Sequence, residues 1–435
     1  MMKNLHETTF KKRASLHTLG CRLNSAETAQ LAQGFAKRGY QIVPFGDPAD
    51  IVVVNTCTVT DQADSTCRNL IRKAKKSAPE GRVAVVGCYA QMEPEAISKI
   101  EGVDLILGTN EKYKIFQYLD TEKELGIYTG LDRSFFGAST TPEDNHTRAF
   151  LKIQDGCNYI CSFCIIPQAR GRSRTISTTE AVKSAKQLVT NGFKEIVLTG
   201  VNIGEYTNTS GESFEELVKR LLDVDGLERL RLSSVEPNTM TKKLLEILSS
   251  SSKSMDHFHL PLQSGSDEIL KFMRRKYNVA EYKEKISMVK DYFPYAGIGA
   301  DIITGFPGET DIHFEDTMNL LRELPITHFH PFPYSVRKNT LAAKMDCHVH
   351  PVFKKTRMQS LLSLGKAKLG CFSEDQVESL SDVLFERKNK DGLWEGYTSN
   401  YVKVRVDSNE DLKNTIREVM LTRFEEDKLF GNLNQ

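Results

Sequence analysis

The sequence is short of several things. It has one tryptophan in 435 residues, a net charge of only +1, and no long uninterrupted apolar run. A bilayer-spanning helix needs roughly 20 consecutive apolar residues, so no membrane partner is expected. The opening MMKNLHETTFKKRAS lacks the apolar segment of a secretory leader, and a cytoplasmic location is the expectation. With 58 basic and 57 acidic side chains, no overall field draws the protein toward nucleic acid. RNA contact, if made, must come from local patches. Disorder and fibrous repeats are also excluded, because 26% charged and 40% hydrophobic residues are ordinary globular proportions.

Cysteine, by contrast, is plentiful. Nine thiols in a chain without a leader point to a reducing compartment, where they serve as metal ligands or catalytic groups more often than as disulfide halves. The odd count also rules out a fully paired disulfide scheme.

Short β-rich runs end near three of these cysteines: ASLHTLGC (14–21), DIVVVNTC (50–57) and RVAVVGC (82–88). Helix-like stretches alternate with them, and DLILGT (104–109) offers another strand. Residues 12–125 are therefore predicted to form an α/β domain of the doubly wound parallel type. Residues 126–148 lack sustained periodicity and read as a linker. From 149 a strand–helix pattern resumes six times, with strands at FLKIQ (150–154), EIVLTG (195–200), RLRLSS (229–234), HFHLPL (257–262), IGADIITG (298–305) and THFHPF (327–332). Six such units over 149–370 imply a partial (βα)6 TIM-like barrel, with chemistry at the C-terminal ends of its strands. Residues 371–435 alternate and contain glycine turns over 382–407, as in a small β-barrel, before a charged, mixed tail.

The strongest local signal is Cys157-Asn-Tyr-Ile-Cys161-Ser-Phe-Cys164, directly after the first barrel strand. Three thiolates at this spacing suit three irons of a cubane and leave the fourth iron open. The competing reading is a zinc knot, although structural zinc prefers four protein ligands and paired CxxC spacing. A second trio, Cys21, Cys57 and Cys88, is too spread out for a local motif, yet each member follows a parallel strand. Crossovers that return to one sheet edge would bring the three together for a second cluster. The alternative is three buried structural thiols at strand ends.

CxxxCxxC with Phe163 before its last cysteine, and a barrel behind it, resembles the radical S-adenosylmethionine enzymes. That resemblance implies an open iron binding the methionyl amino and carboxylate groups of S-adenosyl-L-methionine, and reductive cleavage to a 5′-deoxyadenosyl radical. Nearly the whole chain is similar to the methylthiotransferases of that group, through TLGCRLN (18–24), VVVNTCTVT (52–60), VVGCYAQ (85–91), LKIQDGCNYICSFCIIPQARGRSRT (151–175), LTGVNIGEY (198–206) and ITGFPGET (303–310). The resemblance implies two 4Fe-4S clusters, one on each cysteine trio, the second carrying the sulfur to be transferred. It places Phe163, Gly200 and Asn202 among the cofactor-binding residues, the last two near the methionyl group.

Ser234 and Glu236 in SSVEP read either as hydrogen-bonding partners of the nucleoside ribose or as turn chemistry before Pro237. Gly305 either leaves room for adenine or only ends its strand. Arg170, Arg172 and Arg174 suit a phosphate, an orienting contact to carboxylates or a solvated turn. KFMRRKYN (271–278) is a second basic stretch suited to an RNA backbone. His257 with His259, and His328 with His330, share strand faces, where packing is commoner than metal binding. The C-terminal module resembles a TRAM domain, with Lys388, Lys390, Lys403 and Arg405 as candidate charges and Trp394 and Tyr401 as stacking or core rings. Acidic residues outnumber basic ones over 374–435, a departure from a strongly basic RNA binder.

Within the family, TLGCRLN, NTCTVT and GCYAQ are most similar to the branch that converts threonylcarbamoyladenosine beside the tRNA anticodon to its 2-methylthio form. Arg22 and Leu23 stand where the isopentenyladenosine branch usually has Gln-Met. The expected partner is a tRNA anticodon stem-loop, with an electron donor and a sulfur donor that the sequence does not identify. The alternatives are methylthiolation of isopentenyladenosine in tRNA or of a ribosomal protein aspartate, and a non-catalytic iron–sulfur RNA-binding protein.

Overall fold

The computed structural model describes residues 12–120, 125–141 and 146–434. The opening residues searched for a leader, and residues 142–145 of the stretch read as a linker, lie outside the described residues. The described residues form two compact units: one holds those up to residue 141 plus Gln168–Gly171, and the other holds those of 146–167 and 172–434.

In the first unit, β1 (Arg13–Thr18), β2 (Gln41–Val43), β3 (Ile51–Thr56), β4 (Arg82–Gly87), β5 (Leu105–Leu107) and β6 (Gly126–Tyr128) make one sheet ordered β2-β1-β3-β4-β5-β6. Every pairing is parallel. β3 is buried along its whole length, as a strand with both faces covered must be. Val52, Val54, Val83 and Val85 pack on one face with Cys67 and Ile71, while Ile51, Val53, Ala84 and Val86 pack on the other with Leu31 and Phe35. Helices on both faces make the sheet doubly wound. β6 comes from the first three residues of the stretch read as a linker, where Ile127 pairs with Ile106. A three-residue edge strand has too few positions to show a period; the open edge of β5 recruits it.

In the second unit, β7 (Arg148–Lys152) is followed by a two-residue pair, β8 (Gln154–Asp155) and β9 (Arg174–Thr175). β10 (Glu195–Thr199), β11 (Arg229–Leu232), β12 (His257–His259), β13 (Gly297–Thr304) and β14 (His328–Pro333) complete two parallel sheets, ordered β11-β10-β7 and β12-β13-β14. Parallel bridges Leu230–Ser254 and Ser234–His259 join them across β11 and β12. The result is an open barrel of six parallel strands, interleaved with helices.

Helix Pro351–Glu374 then leads to a closed barrel of β15 (Leu380–Lys388), β16 (Trp394–Tyr397), β17 (Lys403–Val406), β18 (Ile416–Glu425) and β19 (Lys428–Leu433), ordered β15-β16-β17-β19-β18. The tail that reads as mixed in sequence is the β18–β19 hairpin. Its turn residues have the positive φ (50° and 59°) that Asn-Gly usually supplies, but they are Glu426 and Asp427, so the sequence carries no such signature. Arg231 and Arg229 of β11 hold this barrel: Arg231 donates to the Ser399 carbonyl (3.0 Å), and Arg229 to the carbonyls of Tyr397 (3.1 Å) and Asp382 (2.7 Å). Arg231 is itself fixed by buried Glu195 at 2.7 Å.

Candidate active site and the two cysteine trios

Cys21 is the N-cap of helix Arg22–Lys37, Cys57 directly follows β3, and Cys88 directly follows β4. Because β1, β3 and β4 are parallel neighbours, all three thiols emerge at one sheet edge. The β2-β1-β3 order puts a topological switch between β1 and β3, the place where a doubly wound sheet opens a crevice beyond its strand ends. Gly20 (φ 104°) and Gly87 (φ 98°) turn the chain just before Cys21 and Cys88. A Cβ on Gly20 would lie 2.7 Å from Cys57 Cβ and 3.1 Å from Cys57 Sγ, so glycine permits the close approach of these two turns. Burial, with the fields of Cys88 and Cys21, pushes the Cys57 thiol up to about 12. Burial also raises Cys88, against the opposing fields of Arg170 and Lys112. Cys67 is buried beside them, its thiol donating to the Cys57 carbonyl at 3.3 Å.

The second trio sits in the second unit. Gly156 (φ 70°) precedes Cys157, the third glycine–cysteine turn of this kind. The loop is anchored at its middle: Ser162 donates from its backbone to Met273 O (3.1 Å) and from its hydroxyl to Phe272 O (2.7 Å), and its carbonyl accepts from Ala342 N (2.8 Å). Phe163 packs against Ile269, Met273, Phe306, Tyr334 and Ala342, edge-on to Phe306. Burial raises Cys157 and Cys164 to about 12. It raises Cys161 too, where the Arg275 guanidinium opposes the shift and donates to Sγ at 3.3 Å. All three thiols must lose protons to bind iron, so their burial makes metal loading proton-coupled.

Gln154 fixes the turn after β10, its Oε1 accepting from Val201 N and Asn202 N, both at 2.9 Å. A Cβ on Gly200 would lie 2.8 Å from that oxygen. Asn202 is 2% exposed, and both ends of its amide lack a hydrogen-bond partner in the protein. Buried amides are normally satisfied, so this one fits a polar ligand. Ser234 shares a 2.7 Å hydrogen bond with His259 Nδ1, and His259 Nε2 lies 3.2 Å from Asp301. Glu236 pairs with Arg275, while burial raises its carboxyl pKa. The amide N–H of Gly305 (φ 74°) donates to Glu309 at 2.6 Å, and a Cβ there would lie 2.4 Å from Lys354, so this glycine serves the turn that ends β13.

Three residues escape the sequence reading: Gln154, Glu205 and Arg275. Glu205 accepts from Asn158 N at 3.2 Å, and burial raises its pKa. Arg275 belongs to the basic stretch read as RNA-facing, but its side chain is 3% exposed and turned to Cys161 and Glu236. Its interior place has no signature in a run of like charges. Arg170 and Arg174 orient carboxylates, Glu27 at 2.9 Å and Asp155 at 3.0 Å. The histidines of β12 and β14 meet edge-on instead, His257 against His328 and His259 against His330. Trp394 fills the C-terminal core, and Glu395 pairs with Arg405 and Lys403.

All nine cysteines are free thiols, and among the described residues no three Cys, His, Asp or Glu side chains converge on a single ion. A cubane makes a different demand, since each thiolate takes its own iron at a separate corner. The donor set of each trio fits that demand, and the glycine turns before Cys21, Cys88 and Cys157 give it close backbone approach.

Residues 151–321 match the radical SAM superfamily, and residues 13–108 match the uncharacterized protein family UPF0004. The threonylcarbamoyladenosine tRNA methylthiotransferase MtaB of Bacillus subtilis (strain 168) is 37% identical, across 94% of this chain and 93% of that protein. A tRNA-2-methylthio-N(6)-dimethylallyladenosine synthase of Syntrophus aciditrophicus is 31% identical, across 90% of this chain and 85% of that protein. Among solved structures, the radical S-adenosylmethionine methyltransferase TsrM of Kitasatospora setae shares the fold, with a TM-score of 0.58 at 15% identity over 82% of this chain and 89% of that one. A radical S-adenosylmethionine domain takes S-adenosylmethionine and a 4Fe-4S cluster, and Cys157, Cys161, Cys164 and the open amide of Asn202 are suited to hold them. The chain belongs to the radical S-adenosylmethionine methylthiotransferase family.

Proposed function

We propose that this protein converts N6-threonylcarbamoyladenosine beside the anticodon of tRNA to its 2-methylthio derivative, using two 4Fe-4S clusters. The observation that carries this reading is the pair of cysteine trios, each presented beyond the ends of parallel strands. Relatives named for threonylcarbamoyladenosine match at 31–37% identity over most of the chain, which favours that nucleoside as substrate. When bound, one S-adenosylmethionine with its cluster would supply a carbon-centred radical, the N-terminal cluster would supply the sulfur, and a second S-adenosylmethionine would supply the methyl group.

The chain's own residues do the rest. Cys157, Cys161 and Cys164 hold one cluster, and Cys21, Cys57 and Cys88 the other. Asn202 and the Gly200 turn receive the methionyl group, while Arg275 supplies charge beside Cys161 and keeps Glu236 oriented. Phe163 clamps the cluster loop onto the core. Ser234 acts from its bond to His259, so its contact with the ribose uses the oxygen's remaining capacity. The tRNA anticodon stem-loop is the partner in this reading, with the TRAM-like barrel as a second holding point. The free thiols suit a reducing, cytoplasmic setting.

The test is anaerobically reconstituted full-length protein with S-adenosylmethionine, a chemical reductant and tRNA, followed by mass spectrometry of digested nucleosides. Methylthio-threonylcarbamoyladenosine is the expected product. Modification of isopentenyladenosine alone, or 5′-deoxyadenosine release with no RNA product, would overturn the substrate assignment.

A further inference from the structure

The N-terminal unit contains a buried charge cluster that the chemistry above does not use. Glu27, on the helix that Cys21 caps, is fully buried. It accepts from both arms of Arg170, at 2.9 and 3.1 Å, from Tyr113 at 3.1 Å, and from Lys112. Arg170 also donates to Asn24 Oδ1 at 2.6 Å, and Asn24 in turn donates to the carbonyls of Leu19 (2.7 Å) and Thr56 (3.2 Å), next to the Cys21 and Cys57 turns. The Lys112 and Glu27 side chains are 0% exposed and Arg170 is 2% exposed. Placing two cations and a carboxylate in the interior is expensive unless geometry and environment compensate. Arg170 arrives from Gln168–Gly171, the short segment after the CxxxCxxC loop that folds with the N-terminal unit.

Resting on the two-cluster reading, we propose that Arg170 and Lys112 are positioning residues for the N-terminal cluster, their buried charge stabilising the anionic cluster and an anionic sulfur at its open corner. The reason is electrostatic. Three thiolates and a sulfur ligand bring several negative charges together, two of them at the buried Cys57 and Cys88 and one at the exposed Cys21, and beside the buried pair a neighbouring cation acts more strongly than in water. Glu27 holds both cations and Asn24 holds Arg170, while Asn24 itself reaches the carbonyls of Leu19 and Thr56 beside the Cys21 and Cys57 turns. Arg170 also ties the turns bearing Cys21 and Cys57 through Asn24, so one side chain joins charge to geometry.

The test uses full-length protein carrying C157A, C161A and C164A, so that only the N-terminal cluster forms. Arg170→Gln, Arg170→Lys and Lys112→Met are introduced singly. Redox titration followed by electron paramagnetic resonance reads the midpoint potential, and methanethiolate titration reads affinity at the open iron. The inference predicts a lower midpoint and roughly tenfold weaker methanethiolate binding in R170Q and K112M. R170K should recover most of both, because it restores charge without the two-armed grip. A purely structural role would leave R170K as damaged as R170Q, and that result overturns the inference. An iron-bearing parent whose potential ignores all three changes also overturns it. An iron-free parent overturns the two-cluster reading itself, and this inference with it.

Discussion

Gly20→Ala tests the approach of the first two N-terminal cysteine turns. At φ 104° an L side chain is strained, and the added Cβ would sit 2.7 Å from Cys57 Cβ. Backbone strain of ~1–2 kcal/mol and overpacking of ~1–3 kcal/mol together give roughly 2–5 kcal/mol. Against a typical domain stability of ~5–15 kcal/mol, this leaves most molecules folded. The simplest relief is to move the Cys21 turn away from Cys57, which breaks the trio while leaving Cys157, Cys161 and Cys164 untouched. Iron per chain should therefore fall from about eight to about four, while 5′-deoxyadenosine formation persists. Gly39→Ala is the control: it has a similar backbone angle (φ 82°) but nothing within 4 Å of its Cβ position, so strain alone should leave both clusters. The assay is iron and sulfide analysis of anaerobically reconstituted protein, with urea unfolding to confirm the fold. Full iron in folded G20A would refute the reasoning.

Asn202→Ala should weaken S-adenosylmethionine binding about tenfold or more, the loss of one or two buried hydrogen bonds, with iron content unchanged; equilibrium dialysis measures it. Tyr401→Ala should destabilise the second unit by roughly 2–4 kcal/mol, because the ring stacks on Tyr397 and lies 4.6 Å from His257 under the Arg231 guanidinium; urea unfolding reads the change. His328 is pushed from its ordinary 6.5 down to about 4 by burial, with His330, His259 and Arg231 adding to the shift and the Tyr401 backbone opposing it. The unfolded chain therefore binds the extra proton first, so stability present above pH 6.5 is lost as pH falls toward 4. His328→Gln should flatten that dependence in acid unfolding curves.

The parallel sheet, the six-strand open barrel and the C-terminal barrel are legible because βα alternation and buried valine runs are local patterns. The common placement of Cys21, Cys57 and Cys88 is legible for a related reason: each comes just after a strand, and strand order brings the three to one sheet edge. Of the four glycine–cysteine pairs in the sequence, those at 20–21, 87–88 and 156–157 mark turns with positive φ, while Gly370-Cys371 lies inside a helix. What the sequence hides is pairing at long range. Nothing local tells that Arg275 leaves its basic neighbours to face Cys161, that Gln154 braces the Asn202 turn, or that Arg170 folds onto Glu27. The β18–β19 hairpin is obscured differently, because charged residues occupy its turn and its outward positions while Val419, Leu421 and Leu429 fill the core.

The central claim is that each trio holds its own cubane, and Mössbauer spectroscopy of two triple variants tests it directly. C21A/C57A/C88A and C157A/C161A/C164A should each retain one 4Fe-4S signal, about four irons per chain, with only the first still cleaving S-adenosylmethionine. A full two-cluster signal in either variant, or no cluster in the second, would contradict the account.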